Sequence, residues 1–274
     1  MSGDHTPLPI FDFGDDAGGI PELSDRDTAC LVLPDLNYDN QLQAIRHLIR
    51  THRKMERDER AAFAEVKRIV ETAKGMRAEH AESELAELFY DGVYSAAARS
   101  TAAIGMLAPI AESLFDQAFA GIRQTAGDRA ISMPPHPRWS MNADQAWDCH
   151  LMPPAPGEEP PKDVVRGIGQ LSEAVGLAPF LPSDLSMTLT ALFGYRNKML
   201  HCGFEWRQRD RDRFSRTIAT AGWPQGWFSQ ATSDGRPWVF YMTDAFIDHS
   251  VATIDRVLEG IGKYCKAVFI RRGP

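Results

Sequence analysis

The chain has 274 residues, a net charge of −7 at neutral pH and 43% hydrophobic residues, which is the composition of an ordinary globular protein. It contains no uninterrupted apolar stretch of about 18 residues, so no membrane-spanning helix and no membrane partner are expected. Residues 1–16 lack the basic and apolar regions of a signal peptide, and the four cysteines form no C-x-x-C pair. We therefore expect a cytoplasmic protein with reduced cysteines.

The negative charge is concentrated at the N-terminus. Residues 1–35 contain eight acidic residues and one arginine, whereas the rest of the chain has 29 acidic and 29 basic residues. We predict an acidic, partly disordered N-terminal arm over residues 1–35, followed by one helical domain over residues 36–274. A locally basic surface that binds nucleic acid is compatible with this distribution. The arm is expected to keep the protein in solution; the alternative is that it covers a basic cleft.

Long helices are predicted from Asn37 to about Gly127. Apolar residues recur at three- and four-residue steps from Leu42 to Ala73, and the charged residues between them suit the outer face of a helix or a helical hairpin. Small side chains dominate residues 95–105 and allow helices to pack closely. Pro109 is expected to bend or end its helix, because proline lacks the amide hydrogen that a helix uses.

A Pro-rich insertion is predicted over residues 131–163, which contain eight prolines. Its length indicates a lid, a loop that docks a partner, or a linker. His136, Cys149 and His150 lie in this insertion. Their spacing matches no known zinc pattern, so we predict that the protein binds no metal.

A second helical block is predicted from about Asp163 to Leu177 and from Ser183 to Cys202. Ser183 and Asp184 supply N-cap chemistry, and Gly203 is suited to the position after a helix end. The apolar residues of the second helix predict its buried face: Leu185, Leu189, Leu192, Phe193 and Leu200.

The remaining elements are a hairpin and a final helix. Within residues 227–242, the segments 227–230 and 238–242 flank Ser233-Asp-Gly235, which predicts a β-hairpin with a tight Asp-Gly turn. A helix from about Thr243 to Phe269 follows, with apolar residues at helical spacing from Phe246 to Ile261. The fold class predicted is therefore an all-α bundle with one small β-hairpin near the C-terminus.

Three polar residues, Arg196, Asn197 and His201, occupy the last two turns of the helix that begins near Ser183. At about 100° per residue, Asn197 and His201 share one face, whereas Arg196 lies about 140° away from His201. The long arginine side chain must therefore reach around the helix. This arrangement suits the edge of a cleft to which a second copy of the helix contributes matching groups.

The sequence Arg-Asn-Lys-Met-Leu-His over residues 196–201 resembles the R-x4-6-H signature of the HEPN superfamily, in its R-N-x-x-x-H form. The bare Arg-His spacing also occurs at residues 46–52 and 129–136. Only residues 196–201 combine the asparagine with the end of an apolar helix and a glycine-aromatic exit. The resemblance covers mainly residues 163–215, with the helical block of residues 81–125 as its partner.

This resemblance implies a bundle of four to five helices that forms a homodimer and cleaves RNA without a metal or another cofactor. The RNA 2′-OH is the nucleophile, so the protein has to move protons and stabilise the phosphorane. Imidazole, with an ordinary pKa of about 6.5, suits His201 for general acid or base catalysis. Arg196 would bind the phosphate oxygens, and Asn197 would orient the imidazole or the phosphate.

Basic residues near the motif are candidates for RNA binding: Lys198, Arg207, Arg209 and Arg211. The alternative is a solvated face on which these charges pair with the neighbouring Asp210 and Asp212. Tyr195 is a further candidate, and Glu205 is either a surface residue or a partner of His201. Three tryptophans are expected in the core, with base stacking as the alternative: Trp206, Trp223 and Trp227.

The function predicted is a regulated, metal-independent endoribonuclease of the kind found among toxins and antiviral-defence effectors. Its restraint would come from a protein partner, the acidic arm or the Pro-rich insertion. The first alternative is a non-catalytic module in which Arg196 and His201 hold RNA, a nucleotide or a protein. The second alternative is a structural subunit that uses the apolar stripe from Leu42 to Ala73.

Overall fold

The computed structural model describes residues 23–34, 37–136, 138 and 163–270. Within these ranges the protein is a bundle of seven α-helices with one two-stranded antiparallel sheet, which confirms the predicted fold class. The helices are α1 (Asp25–Ala29), α2 (Tyr38–Thr72), α3 (Met76–Asp128), α4 (Val164–Val175), α5 (Leu185–Cys202), α6 (Gln208–Thr220) and α7 (Asp244–Cys265), and the strands are β1 (Phe228–Ser233) and β2 (Arg236–Met242). A 3-10 turn at Ala178–Phe180 precedes α5, and a π-helical turn at Lys266–Ile270 follows α7.

Helices α2 and α3 form a long antiparallel pair. The side chain of Asn37 caps α2 by accepting a hydrogen bond from the amide of Asn40 at 3.0 Å. The first turns of α2 bury Leu42 and Ile45 in the main core. Over residues 51–92, by contrast, only Val66 and Ala81 are buried. The far half of this helical pair therefore extends beyond the main core.

Helix α3 does not end at Pro109 but continues to Asp128. Proline removes the hydrogen bond to the carbonyl four residues earlier, which belongs to Gly105. Both Pro109 and Gly105 are exposed, so water can satisfy this carbonyl at little cost. Leu107 and Leu114, on either side of the proline, are fully buried and hold the helix on the core.

Residues 23–34, which the sequence assigns to the acidic arm, belong to the folded bundle. Ser24 and Asp27 form a capping box at the start of α1. Val32 and Leu33 are buried in the main core. Helix α1 lies so close to α7 that a Cβ added to Gly262 would be 1.6 Å from the carbonyl oxygen of Asp25. Residues 1–22 lie outside the described ranges.

The hairpin and α7 complete the bundle. Asp234 and Gly235 both have positive φ, 51° and 73°, as a tight type I′ turn requires. Val239 on β2 packs with Val93 and Ala97 on α3 in a small second cluster. All the apolar residues predicted for the inner face of α7 are buried: Phe246, Ile247, Val251, Ile254, Val257, Leu258 and Ile261.

Candidate functional site

Helix α5 is anchored at its start by an ion pair with α7. The predicted N-cap side chains do not cap it: Asp184 occupies the N-cap position, but its side chain makes no capping hydrogen bond. Instead its carboxylate lies 3.0 Å from Arg256 and 3.3 Å from His249. Burial alone would raise the pKa of Asp184, but the hydrogen bond and charge of Arg256 hold it below its ordinary value. At the other end α5 stops at Gly203, whose φ of 68° suits glycine, as predicted.

One face of α5 is exposed along most of its length. At about 100° per residue, the residues of this face fall within about 60° of one another around the axis. We call them the exposed stripe of α5: Ser186, Thr190, Asn197 and His201. Two members of the sequence motif, Asn197 and His201, therefore lie on the solvent side of the helix.

Leu200 is 69% exposed beside this stripe, so its prediction as a buried residue is wrong. Around the helix axis it lies within about 20° of Leu189, which is buried, and the sequence pattern is therefore the same for both. The difference is position along the helix, because Leu200 lies in the last turn. An exposed leucine thus lies among the candidate polar groups.

Arg196 is fixed by three contacts. Its Nη1 lies 2.9 Å from Oε2 of Glu112 on α3, and its Nε donates to Oδ1 of Asn197 at 3.4 Å. Its guanidinium carbon is 4.9 Å from the centre of the Phe193 ring. Both charged side chains are partly exposed, 24% for Arg196 and 34% for Glu112, so the ion pair lies at the edge of the bundle. The guanidinium is therefore oriented by both α3 and α5.

Glu112 was not identified from the sequence, although a signal was present. From residue 100 to residue 122, a stretch of small and apolar residues, the charged residues are Glu112 and Asp116. An isolated charge in an apolar helix is costly unless it has a partner. Such residues are therefore candidates for contacts with a motif on another helix.

Arg196 and Asn197 line an open cleft of about 680 Å³ between the first turn of α4 and the exposed stripe of α5. His201 is not among the lining residues. Its imidazole is exposed and makes no hydrogen bond or ion pair with any residue in the described part of the chain. One chain therefore brings Arg196 and Asn197 together and leaves His201 outside the cleft, one turn further along the stripe.

Three of the four predicted RNA-binding residues make contacts within the chain. Lys198 Nζ lies 2.7 Å from Oδ1 of Asp210 on α6. This hydrogen bond from Lys198 lowers the pKa of Asp210. Arg211 donates at 2.9 Å to the carbonyl of Pro237 on β2. Arg209 is 79% exposed and lies 3.7 Å from Asp210.

The segment that carries these arginines is a helix, which the sequence pattern did not identify. Arginines and aspartates follow one another so closely that α6 contains few apolar residues, and Phe214 is its single buried residue. Arg207 is the exposed residue at the N-cap of α6. Packing of Phe214 against aromatic rings therefore supplies the stability that the sequence pattern did not reveal.

The remaining candidate residues are buried or hydrogen-bonded within the folded chain. Tyr195 is fully buried and donates a hydrogen bond to the carbonyl of Phe240 at 3.0 Å. Burial strongly raises the pKa of its hydroxyl, so it stays protonated. Glu205 accepts a hydrogen bond from Tyr94 and not from His201. The three tryptophans are buried, which confirms their prediction as core residues: Trp206, Trp223 and Trp227.

Within the described ranges, no group of three or more His, Cys, Asp or Glu side chains is placed to hold a metal ion. His136 lies 3.8 Å from Glu173, whereas Cys149 and His150 lie outside the described residues. Also within these ranges, no helix is both long enough and apolar enough to cross a membrane.

Comparisons with protein families, with curated proteins and with solved structures gave no match to this chain. The candidate functional groups of the described residues lie at the α4/α5 cleft and at the polar end of α5.

Proposed function

We propose that this protein is a metal-independent endoribonuclease of the HEPN type that acts as a regulated cytoplasmic toxin or antiviral-defence effector. The observation that carries the proposal is the polar end of α5. There Arg196 is held at a cleft by Glu112, while Asn197 and His201 are open to solvent on one stripe. These groups surround the exposed side chain of Leu200.

The residue types match the needs of RNA cleavage. In the proposed reaction, the 2′-oxygen forms a bond to phosphorus as its proton passes to one imidazole. The bond from phosphorus to the 5′-oxygen breaks, and a second imidazole protonates the leaving oxygen. The products are a 2′,3′-cyclic phosphate and a 5′-hydroxyl. Arg196 keeps donors beyond those used by Glu112 and Asn197, and these can bind the non-bridging oxygens of the phosphorane.

A second copy of the chain supplies what one copy lacks. His201 lies outside the cleft, and a single chain holds one such histidine. A two-fold axis beside Leu200 would cover this exposed leucine and bring the partner's α5 against the first. The composite site would then contain two histidines, one for each proton transfer. Burial of Leu200 would contribute to the dimer at about 25 cal/mol per Å² of apolar surface removed from water.

The test is RNA cleavage in EDTA. We expect the wild-type protein to produce 2′,3′-cyclic phosphate ends, and His201→Ala to lose about 10²-fold or more of the rate. His80→Ala is the matched control, because His80 is also exposed on a helix but far along the chain from the motif. Equal rates for the wild type and His201→Ala would contradict the proposal.

A second candidate function is a non-catalytic module that binds RNA or a nucleotide. The observation that favours it is the position of His201 outside the cleft, because a cleft with Arg196 and Asn197 alone can bind a phosphate but lacks the imidazole that proton transfer requires. This candidate predicts RNA binding in EDTA without cleavage, at any protein concentration.

A further inference from the structure

The α4/α5 cleft has the size and lining of a ligand site. Its volume of about 680 Å³ lies in the range of small-molecule pockets. Its lining combines the apolar side chains of Phe193, Val164 and Val165 with the hydroxyl side chains of Ser186 and Thr190. Such a mixture of apolar and polar groups suits a sugar or base better than a bare anion.

The cleft also contains an arginine that makes no ion pair with the described residues. Arg166 lines it and is exposed, and its guanidinium makes no ion pair or hydrogen bond within the described part of the chain. Arg196, by comparison, is paired with Glu112. The one acidic group in the lining is Asp163. Its Oδ1 accepts hydrogen bonds from the amides of Val165 and Arg166, at 3.0 and 3.1 Å, as the cap of α4.

The hydroxyl groups retain free hydrogen-bonding capacity. Thr190 donates to the carbonyl of Ser186 at 2.7 Å and keeps its oxygen as an acceptor. Ser186, Thr190 and Asn197 follow one another along the exposed stripe at spacings of four and seven residues, toward His201. Polar groups of the exposed stripe therefore extend from the candidate catalytic residues into the cleft that Arg166 lines.

Of the four predicted RNA-binding residues, Lys198 and Arg211 are engaged within the chain, whereas Arg207 and Arg209 are exposed. Lys198, which lies on the side of α5 that faces α6, is paired with Asp210. Around the helix axis it lies about 100° from Asn197, away from the centre of the exposed stripe. Arg211 donates a hydrogen bond to the backbone carbonyl of Pro237.

We infer that the α4/α5 cleft binds the nucleotide adjacent to the scissile phosphate, and that Arg166 contacts the phosphate of that nucleotide. The RNA strand then runs along α4 and α5, and not along α6. This inference takes its substrate class from the proposed function and assigns residues that the sequence motif does not contain: Arg166, Ser186 and Thr190.

The test measures binding of a short single-stranded RNA in which every ribose is 2′-O-methylated, in EDTA and over a series of salt concentrations. Such RNA lacks the nucleophile and is not cleaved. We expect Arg166→Gln to weaken binding about tenfold and to reduce the slope of log K against log salt by about 0.7, the value for one phosphate contact on a single strand. Arg209→Gln removes an equally charged, 79% exposed arginine on α6 that the sequence predicted as an RNA contact, and a strand that follows α4 and α5 predicts a smaller loss of affinity for it than for Arg166→Gln.

A second variant distinguishes a loss of RNA binding from a loss of folding. Ser186→Asp places a negative charge on the exposed stripe inside the cleft and is expected to weaken binding as well, with an unchanged melting temperature. A larger loss of RNA affinity for Arg209→Gln than for Arg166→Gln would overturn the inference. Equal affinities for the wild type and Arg166→Gln, or no binding by the wild type, would also overturn it.

Failure of the inference and failure of the proposed function give different results. Binding that depends on Arg166, together with uncleaved ordinary RNA, would leave the cleft assignment standing and contradict the nuclease. Cleavage of ordinary RNA at wild-type rate and affinity by Arg166→Gln would support the nuclease and contradict the cleft assignment.

Discussion

The guanidinium of Arg196 on α5 lies 2.9 Å from the carboxylate of Glu112 on α3, so the candidate phosphate-binding group is oriented by an acid from another helix. The ion pair uses one edge of the guanidinium fork and leaves other donors for a ligand. In the ground state the nearby carboxylate weakens the attraction of Arg196 for an RNA phosphate, whereas in the transition state the oriented guanidinium faces the charge that develops on the non-bridging oxygens. The pair is therefore expected to affect the rate of cleavage more than the affinity for RNA.

Glu112→Gln tests this expectation. The amide oxygen can still accept a hydrogen bond, but the charge that holds Arg196 is gone. We expect kcat to fall about tenfold while KM for RNA stays equal or decreases, since the freed arginine can still attract phosphate. The free energy of unfolding should change by only about 0.2–1 kcal/mol, because both side chains are partly exposed. Glu84→Gln, an exposed acid on the distal part of α3, is the control. An increase in KM at constant kcat would contradict this role.

Leu200→Lys tests the dimer. The side chain is 69% exposed in one chain, so the substitution should leave the fold intact. In the dimer that we propose, it would place two charges at the two-fold axis, where they repel each other and resist desolvation. We expect light scattering to show a lower mass and cleavage to decrease in parallel. Met76→Lys alters an even more exposed residue, 86%, far from α5, and should leave the mass unchanged. A Leu200→Lys protein with wild-type mass would argue against this interface.

Tyr195→Phe tests whether the Tyr195 hydroxyl contributes to stability or to catalysis. The buried hydroxyl donates to the carbonyl of Phe240, and a buried hydrogen bond of this kind contributes about 1 kcal/mol. Urea unfolding should therefore show a loss of about that size. The cleavage rate per folded molecule should not change, because the hydroxyl is inside the bundle. A large loss of kcat with unchanged stability would return Tyr195 to the list of catalytic candidates.

Lys198→Gln tests the pairing of α5 with α6. The hydrogen bond from Lys198 lowers the pKa of Asp210, so the variant should raise this pKa, as measured by the carboxyl carbon signal in an NMR titration. The depressed value means that the pair stabilises the fold above the unfolded pKa of about 4, and that this contribution is lost as the pH falls through the folded value. The difference in unfolding free energy between the two proteins should therefore be present at neutral pH and vanish in strong acid. A difference that persists in strong acid would show that Lys198 stabilises the fold by another route.

The sequence was sufficient for most of the fold because its patterns are local. The apolar spacing of the final helix, the Asp-Gly turn and the glycine at the end of α5 each follow from neighbouring residues. Tertiary contacts decide the rest. Pro109 lies inside α3, and its sequence alone could not show that the helix continues, because that depends on surroundings that are exposed on one side and buried on the other. Residues 23–34 fold because α7 offers them a surface, which their acidic composition does not reveal.

The candidate site was predictable only in part. The angular relation of Asn197 and His201 follows from helix geometry, and both lie on the exposed stripe. The pairing of Arg196 with Glu112 joins residues 84 positions apart, so no local pattern could predict it. The engagement of Lys198 and Arg211 by Asp210 and Pro237 depends in the same way on where α6 packs.

The measurement that tests the central claim most directly is cleavage by mixtures of wild-type protein and His201→Ala, in EDTA, after the subunits have exchanged. A composite site that needs both histidines loses its activity in every mixed dimer. At equal amounts of the two proteins and fixed total concentration, we therefore expect about a quarter of the wild-type rate, because about a quarter of the dimers are fully wild type. A rate that falls in linear proportion to the wild-type fraction would place the whole site in one chain. A rate that does not fall at all would contradict catalysis by His201.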